Sequence, residues 1–468
     1  MARQSPNLIF IFADQMRARD MGCAGDPNVA TPNLDRMARE GVRFTNATSM
    51  IPVCTPARAA LLTGRYPLST GMFLNDIQMS IAETTIAHVL RDAGYDTAYI
   101  GKWHLDGSRR FGFTPPGPRR QGFDYWHALN CDHRDYLNPL YYEDSDEQIW
   151  PEQYATDYET DVALRYSENR DGPYSLFLSY SPPHNPYQQL PERWRGKIDP
   201  AALQLSPNTP DTEENRRDLA GYYAHIAAID ENIGRLLAAV GDDPNTIVVF
   251  WSDHGDMLGS HGKQRKQWPW DDSVLVPLIM RWPGGLPQGE ISSVLFNTVD
   301  FVPTLLGWMG VECPQTLEGM DLGPAIAGAE AGSTSAFLQV IAPFAEQVER
   351  EWRAVRTARH TYAETLEGPW LLYDNTVDPD QLDNLAGRAE HADLQVELKS
   401  ELGGWLGRTG DDFEPRARYL ERYGYAVEGK NGAVPYTYAL EEPEQGWPLQ
   451  QVASRREDLP LTSVDSAH

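Results

Sequence analysis

The chain has 468 residues, 41% of them hydrophobic and 23% charged, an ordinary globular composition that excludes disorder for its bulk. Lys and Arg total 40 against 67 Asp and Glu, a formal net charge of −27 that excludes a general footprint for nucleic acid and opposes an anionic membrane surface. A small anionic substrate is still compatible with that balance, provided that one pocket is locally positive.

The opening, MARQSPNLIFIFAD, passes from a polar lead into a core strand without the long apolar stretch of a signal peptide. The longest apolar runs, 8–13 and 274–280, are far short of the ~20 residues that span a bilayer. Cys23, Cys54, Cys131 and Cys313 form no CxxC pair, so neither a disulfide framework nor a thiolate metal site is expected. The expected setting is soluble, reducing and cytoplasmic.

In chain order, short apolar, β-branched runs at 7–13, 97–100, 174–180, 246–251 and 277–281 predict strands. Stretches at 84–93 and 219–240 predict helices. In the second, Ile226, Ile229, Ile233, Leu236 and Leu237 recur at helical spacing and Gly241 closes the run. This alternation implies an α/β fold, with a large, mostly parallel central sheet flanked by helices and buried on both faces. Between these elements, 109–151 and 182–210 are rich in Pro, Tyr, Asp and Gly and read as surface excursions that build a substrate pocket. They carry Trp126, His127, Asp132, His133, Arg134, Tyr136, Tyr141, Tyr142, Tyr187, Trp194 and Arg195. Aromatics with polar neighbours suit a sugar ring, an aryl group or a quaternary ammonium equally well. Past about residue 345 the texture changes. Runs at 352–357, 361–365 and 370–373 predict a small antiparallel sheet, and 394–406 a helix. The expected division is a catalytic domain over 1–345 and a smaller C-terminal domain over 346–468. Its polar last fifty residues are expected to wrap a neighbouring subunit of a homo-oligomer or to remain mobile.

Chemistry-bearing residues follow the predicted strands: Asp14 and Gln15, Lys102 and His104, His184, then Asp253 and His254. The carboxyl ends of strands in an open parallel sheet line one crevice, so these distant segments converge there. Asp14, the Gln15 carbonyl, Asp253 and His254 make a mostly oxygen set for a divalent cation. Ca²⁺ suits the oxygens, and the imidazole leaves Mn²⁺ as the alternative. Cys54-Thr55-Pro56-Ala57-Arg58 places Pro56 in a helix's first turn and Gly64 at its end, which puts Cys54 at a helix N-terminus, a favourable place for an anion. On residue type alone, Cys54 is a buried structural cysteine or a thiol nucleophile with His104 or His184 as base.

The string Cys-x-Pro-x-Arg with its trailing Leu-Thr-Gly-Arg resembles the signature of the type I sulfatases, within the alkaline phosphatase superfamily. Most of the chain shares the resemblance, through Asp14-Gln15, Gly101-Lys102-Trp103-His104, Pro183-His184, Ser252-Asp253-His254-Gly255, Lys266 and the stretch LEGPWLLYDNTVDPDQLDNL. It implies that a separate formylglycine-generating enzyme converts Cys54 to Cα-formylglycine, whose hydrate attacks the sulfur of a small sulfate monoester beside a bound metal, with residue 54 also a metal ligand. It further implies that Arg58 orients and charge-stabilises the hydrate and that Lys102 and Lys266 bind sulfate oxygens. His184, with Lys266, would protonate the leaving oxygen, and His104 would take the proton that lets aldehyde and free sulfate separate. Asn75, twenty-one residues after Cys54, matches a substrate-contacting Asn of some relatives.

Gln15 and His254 depart from the Asp-Asp and Asp-Asn of many sulfatases and resemble choline sulfatases and phosphonate monoester hydrolases. A phosphonate monoester or phosphodiester hydrolase on the same scaffold is therefore the rival reading. The intact Gly-Lys-x-His motif, absent from those hydrolases, favours an arylsulfatase-like sulfuric ester hydrolase acting on an aryl, alkyl, choline or sugar sulfate.

Overall fold

The computed structural model describes residues 5–133, 135–344, 348 and 350–427. The polar tail over 428–468 and Arg134 lie outside the described residues. The main sheet has eight strands: β1 (Asn7–Asp14), β2 (Val42–Thr48), β3 (Asp96–Lys102), β4 (Tyr125–Leu129), β5 (Tyr174–Pro183), β6 (Thr246–Ser252), β7 (Leu278–Arg281) and β8 (Glu290–Asn297). Their order is β4-β3-β5-β1-β6-β7-β2-β8. All neighbours are parallel except β7, which runs antiparallel to both β6 and β2. A second, antiparallel sheet follows, formed by β9 (Ser335–Val340), β10 (Trp352–Thr357), β11 (His360–Thr365) and β12 (Gly368–Asp374) in the order β12-β11-β10-β9.

The unbroken apolar run of β1 follows from its central place. Leu8, Phe10 and Phe12 enter the core on one face of the sheet, while Ile9, Ile11 and Ala13 enter the core on the other. A strand covered on both sides has no solvent face to mark with polar residues. The helix Glu213–Val240 packs the second face with Ile226, Ile229, Ile233, Leu236 and Leu237, all buried. The small sheet is docked rather than separate: Phe337, Val355, Tyr362 and Leu372 share a buried cluster with Met50, Val53 and Ala60 around the start of the helix Cys54–Thr63. Among the described residues, no helix is long and apolar enough to cross a membrane.

Four strands escape the pattern reading. In β2 and β8 outward residues interrupt the apolar ones, and β8 opens exposed. Strand β9 lies before residue 345, on the N-terminal side of the expected change in texture. The fourth, β4, corrects the view of 109–151 as a surface excursion: its five residues, YWHAL, pair in parallel with β3 at the sheet's edge. Trp126, Tyr136, Tyr141 and Tyr142 from that segment are buried.

The adjacent ends of β3, β5, β1 and β6 build the crevice. Asp14 pairs with Pro183, and Ala13 with Ser252, so the residues after these strands meet at one level. Gly101 makes this close approach possible. Its φ is +96°, and a Cβ there would lie 2.0 Å from the Ser179 carbonyl oxygen. Gly101→Ala should therefore cost at least about 2 kcal/mol of stability, read as a lower urea midpoint at unchanged slope.

Candidate active site

Cys54 opens a ten-residue helix, Cys54–Thr63, in which every residue is buried, and Gly64 ends it in the left-handed conformation. One turn along, Arg58 lies on the same face. Its Nε donates to Asp253 Oδ2 at 3.0 Å, Nη2 to Asp14 Oδ2 at 3.1 Å, and Nη1 to the Lys102 carbonyl and Ser179 Oγ, both at 2.8 Å. The guanidinium also stands over the Phe12 ring, 4.9 Å from its centroid. Arg58 thus spans the two carboxylates. None of its hydrogen bonds goes to Cys54, although the two side chains interact through their charges.

Ligand atoms of Asp14, Cys54, Asp253 and His254 all lie within 4.8 Å of one another. His254 Nδ1 donates to the Gly255 carbonyl at 2.9 Å, which turns Nε2 toward Cys54 Sγ at 3.1 Å. Fixing one ring nitrogen so that the other presents its lone pair is the usual arrangement of a metal-binding histidine. Gln15, at φ +71°, gives its backbone N–H to Asp253 Oδ1 at 3.1 Å. Its side-chain Nε2 donates to Asp256 Oδ2 at 2.6 Å, while its Oε1 is buried without a partner among the described residues. A buried amide oxygen without a donor, beside two carboxylates and an oriented imidazole, fits a divalent cation.

Two lysines complete the floor. Lys102 Nζ bonds Asp14 Oδ2 and lies 3.0 Å from His133 Nε2. Lys266 Nζ lies 2.9 Å from Cys54 Sγ and 3.2 Å from His184 Nε2. His184 Nδ1 donates to the Asn185 carbonyl at 2.8 Å, so Nε2 is its functional atom. His104 Nε2 lies 2.7 Å from Asp76 Oδ1, and Arg110 clamps the same carboxylate at 3.0 and 2.7 Å. Asn75 Oδ1 accepts the backbone N–H of Thr55 at 3.2 Å, so in this structure it holds the residue that follows Cys54.

The charges act on each other strongly. Burial and Asp14 push the Cys54 thiol up, but Lys102, Lys266 and His254 outweigh them and hold it well below its ordinary value. Burial and Lys266 push His184 well below the usual imidazole range, which favours its neutral ring. Burial also opposes charge on His104, but Cys131 and the hydrogen bond to Asp76 prevail and raise it to about 10.

The predicted residues Asp14, Gln15, Cys54, Arg58, Lys102, His184, Asp253, His254 and Lys266 therefore form one connected cluster, while His104 and Asn75 meet its edge through Asp76 and Thr55. Asp76, Asp256, Cys131 and Ser179 belong to the same networks and went unread. Asp256 directly follows the Ser252-Asp253-His254-Gly255 run, but nothing in the sequence shows that its carboxylate turns toward Gln15.

The sequence profile of the sulfatase family matches residues 6–311, and that of the N-sulphoglucosamine sulphohydrolase C-terminal region matches residues 259–405. An ulvan-active sulfatase of Formosa agariphila is 42% identical over 92% of this chain and 87% of its own. An N-acetylglucosamine-6-O-sulfatase of Bacteroides thetaiotaomicron is 31% identical over 85% of each chain. A solved complex of an enzyme with its substrate D-glucosamine-2-N,6-O-disulfate superposes with a TM-score of 0.76 at 28% identity, covering 88% of this chain and 99% of the other. A phosphonate monoester hydrolase of Agrobacterium radiobacter reaches 0.71 at 23% identity over 92% and 99%, a likeness of fold alone. The fold is alkaline phosphatase-like, shared with a solved sulfatase-like chain of Bacteroides fragilis at a TM-score of 0.80 and 32% identity, covering 90% of this chain and 99% of the other. Within that superfamily the chain belongs to the sulfatase family and is a sulfuric ester hydrolase.

The raised value of His104 has a consequence for stability. Its folded value of about 10 stands above the ordinary 6.5, so its contribution is complete below about pH 6.5 and is lost as pH rises through about 10. Relative to His104→Phe, the wild type should lose unfolding free energy between about pH 7 and 10.5 in urea melts. Parallel pH curves for the two proteins would show that His104 is not raised.

Proposed function

We propose that the chain hydrolyses a carbohydrate sulfate monoester, using Cys54 matured to Cα-formylglycine by a formylglycine-generating enzyme and a Ca²⁺ ion held by Asp14, Gln15, residue 54, Asp253 and His254. The observation that carries this reading is the placement of Lys102 and Lys266 around residue 54, which makes a cationic pocket in a chain of net charge −27. The names of the relatives support the carbohydrate class, since those of the ulvan-active and N-acetylglucosamine sulfatases describe sugar sulfates. Oxygen-rich donors favour calcium over softer ions, and Mn²⁺ is the alternative that the imidazole admits.

The hydrated formylglycine supplies a hydroxyl nucleophile for sulfur, and the ion supplies positive charge against the sulfate. The remaining work falls to the chain's own side chains. Arg58 orients Asp14 and Asp253 and favours the ionised form of both, although burial and Asp14 push Asp253 above the usual carboxylate range. Lys102 and Lys266 bind the sulfate oxygens and offset charge that builds up as the bond from sulfur to the leaving oxygen breaks. Lys266 and His184 Nε2, 3.2 Å apart, share the proton that the leaving alcohol requires. His104 starts as a cation paired with Asp76. Lys102, His104 and Arg110 also lower the Cys131 thiol despite its burial. His104 acts in the last step through its neutral form, which takes the proton whose loss releases sulfate. Asn75 holds the first turn of the helix that residue 54 opens.

The test compares kcat/KM on 4-nitrophenyl sulfate and 4-nitrophenyl phenylphosphonate, which share a leaving group, in one calcium-replete preparation. Sulfate should be preferred, and Cys54→Ala should lose essentially all turnover. A clear preference for the phosphonate would instead show Gln15 and His254 to mark a phosphonate hydrolase. Chelation should lower the melting temperature and Ca²⁺ restore it, because an ion at about 1,000 times its Kd contributes about 4 kcal/mol to the folded state. Asp256→Asn frees the Gln15 amide to turn its oxygen away and should weaken calcium binding about tenfold by calorimetry, with the rest of the donor set intact.

A further inference from the structure

His133 has no part in the chemistry assigned above, yet it is built into the site as closely as His184. Its ring stacks on the His184 ring, with centroids 3.8 Å apart and planes within 9°. Both rings are half-buried and stand over fully buried Lys102, Lys266 and Cys54, so together they wall the mouth of the crevice. Tyr136, itself buried, fixes the pair. Its hydroxyl donates to the His184 carbonyl at 2.8 Å and lies 3.0 Å from His133 Nδ1. A hydroxyl has one proton to give, so toward His133 the Tyr136 oxygen is the acceptor and Nδ1 carries the hydrogen. Nε2 is thereby left with its lone pair, and that atom faces Lys102 Nζ at 3.0 Å.

The two lysines are held in matching ways. Lys266 is bracketed by Cys54 Sγ and His184 Nε2, and Lys102 by Asp14 Oδ2 and His133 Nε2. An ammonium has three protons in a fixed tetrahedral fork. When two are engaged, the direction of the third is set. A lysine at the end of four rotatable bonds otherwise loses much side-chain entropy when it binds an anion. We propose that His133 is a positioning residue for Lys102, a neutral imidazole acceptor that aims the lysine's remaining proton at a sulfate oxygen as His184 does for Lys266. Burial and the neighbouring His184 push His133 well below the ordinary imidazole range, in keeping with an acceptor rather than a second cation.

The inference rests on the reading of this site as a sulfate pocket, and inorganic sulfate tests the two separately. Calorimetric titration of sulfate into the calcium-loaded full chain is compared for wild type, His133→Phe and His133→Gln. Phe keeps the stack on His184 and removes the acceptor, whereas Gln places an amide oxygen near the Nε2 position. His133→Phe should weaken sulfate binding and raise KM for the ester by about tenfold with little change in kcat, and His133→Gln should recover to within about threefold of wild type. Melting temperatures should stay within about 2 °C of one another, since His133 is only half-buried and Tyr136 keeps its bond to the His184 carbonyl. If His133→Phe binds sulfate as tightly as wild type, or if Gln is as weak as Phe at equal stability, the positioning role is wrong. If the wild type itself takes up no sulfate, the sulfate pocket fails and the role of His133 fails with it.

Discussion

The contact on which the site depends is the hold of Arg58 on Asp14 and Asp253. Two carboxylates and an imidazole at the ends of β1 and β6 are shut away from water, where unpaired charge is costly. One guanidinium answers both carboxylates with a planar fork, and its remaining donor reaches the Lys102 carbonyl and Ser179 Oγ, which ties the ends of β3 and β5 into the same lattice. A lysine could not replace it, because a point ammonium cannot meet acceptors in several fixed directions at once. The positions of Asp14, Asp253 and His254, of Lys102 and of the Cys54 helix are in this sense one geometric solution.

That solution rests on a sheet in which β1 is central and its partners come from far along the chain. The cationic floor is assembled from strand ends, so its rigidity comes from the backbone ladder beneath it, and the longer side chains are trimmed by second contacts. Lys102, Lys266, His184 and His254 each have one neighbour that fixes orientation and another face turned to the crevice. The excess of acidic residues elsewhere leaves this pocket as a local exception in an anionic molecule.

Much of this was legible in the sequence because it depended on local grammar. The apolar run of β1, the helical spacing from Ile226 to Leu237, and Pro56 and Gly64 bracketing the Cys54 helix are all patterns of a few residues. The convergence of Asp14, Lys102, His184 and Asp253 followed from one topological rule about strand ends. What escaped was set by distance and direction. Strand β4 is five residues in an aromatic loop and is a strand only because β3 offers it an edge. Asp76 and Asp256 act through the side chains they touch, and no spacing rule says which way a carboxylate turns. Arg58 was placed at the site, but its actual partners, two carboxylates 44 and 195 residues away, emerge only in the fold.

The complete burial of the Cys54 helix also bears on the order of events in biosynthesis. Cys54 is 1% exposed, and the atoms that close over it include His254, 200 residues later, and Lys266, 212 residues later. On the proposed maturation, an enzyme that oxidises this side chain would have to reach it before those later residues arrive and the pocket shuts. At the usual pace of synthesis, ~5–20 residues per second, 200 residues leave roughly 10–40 s between the two. A host that folds the chain faster than it modifies it would accumulate a well-folded protein bearing an unconverted thiol, beyond later repair.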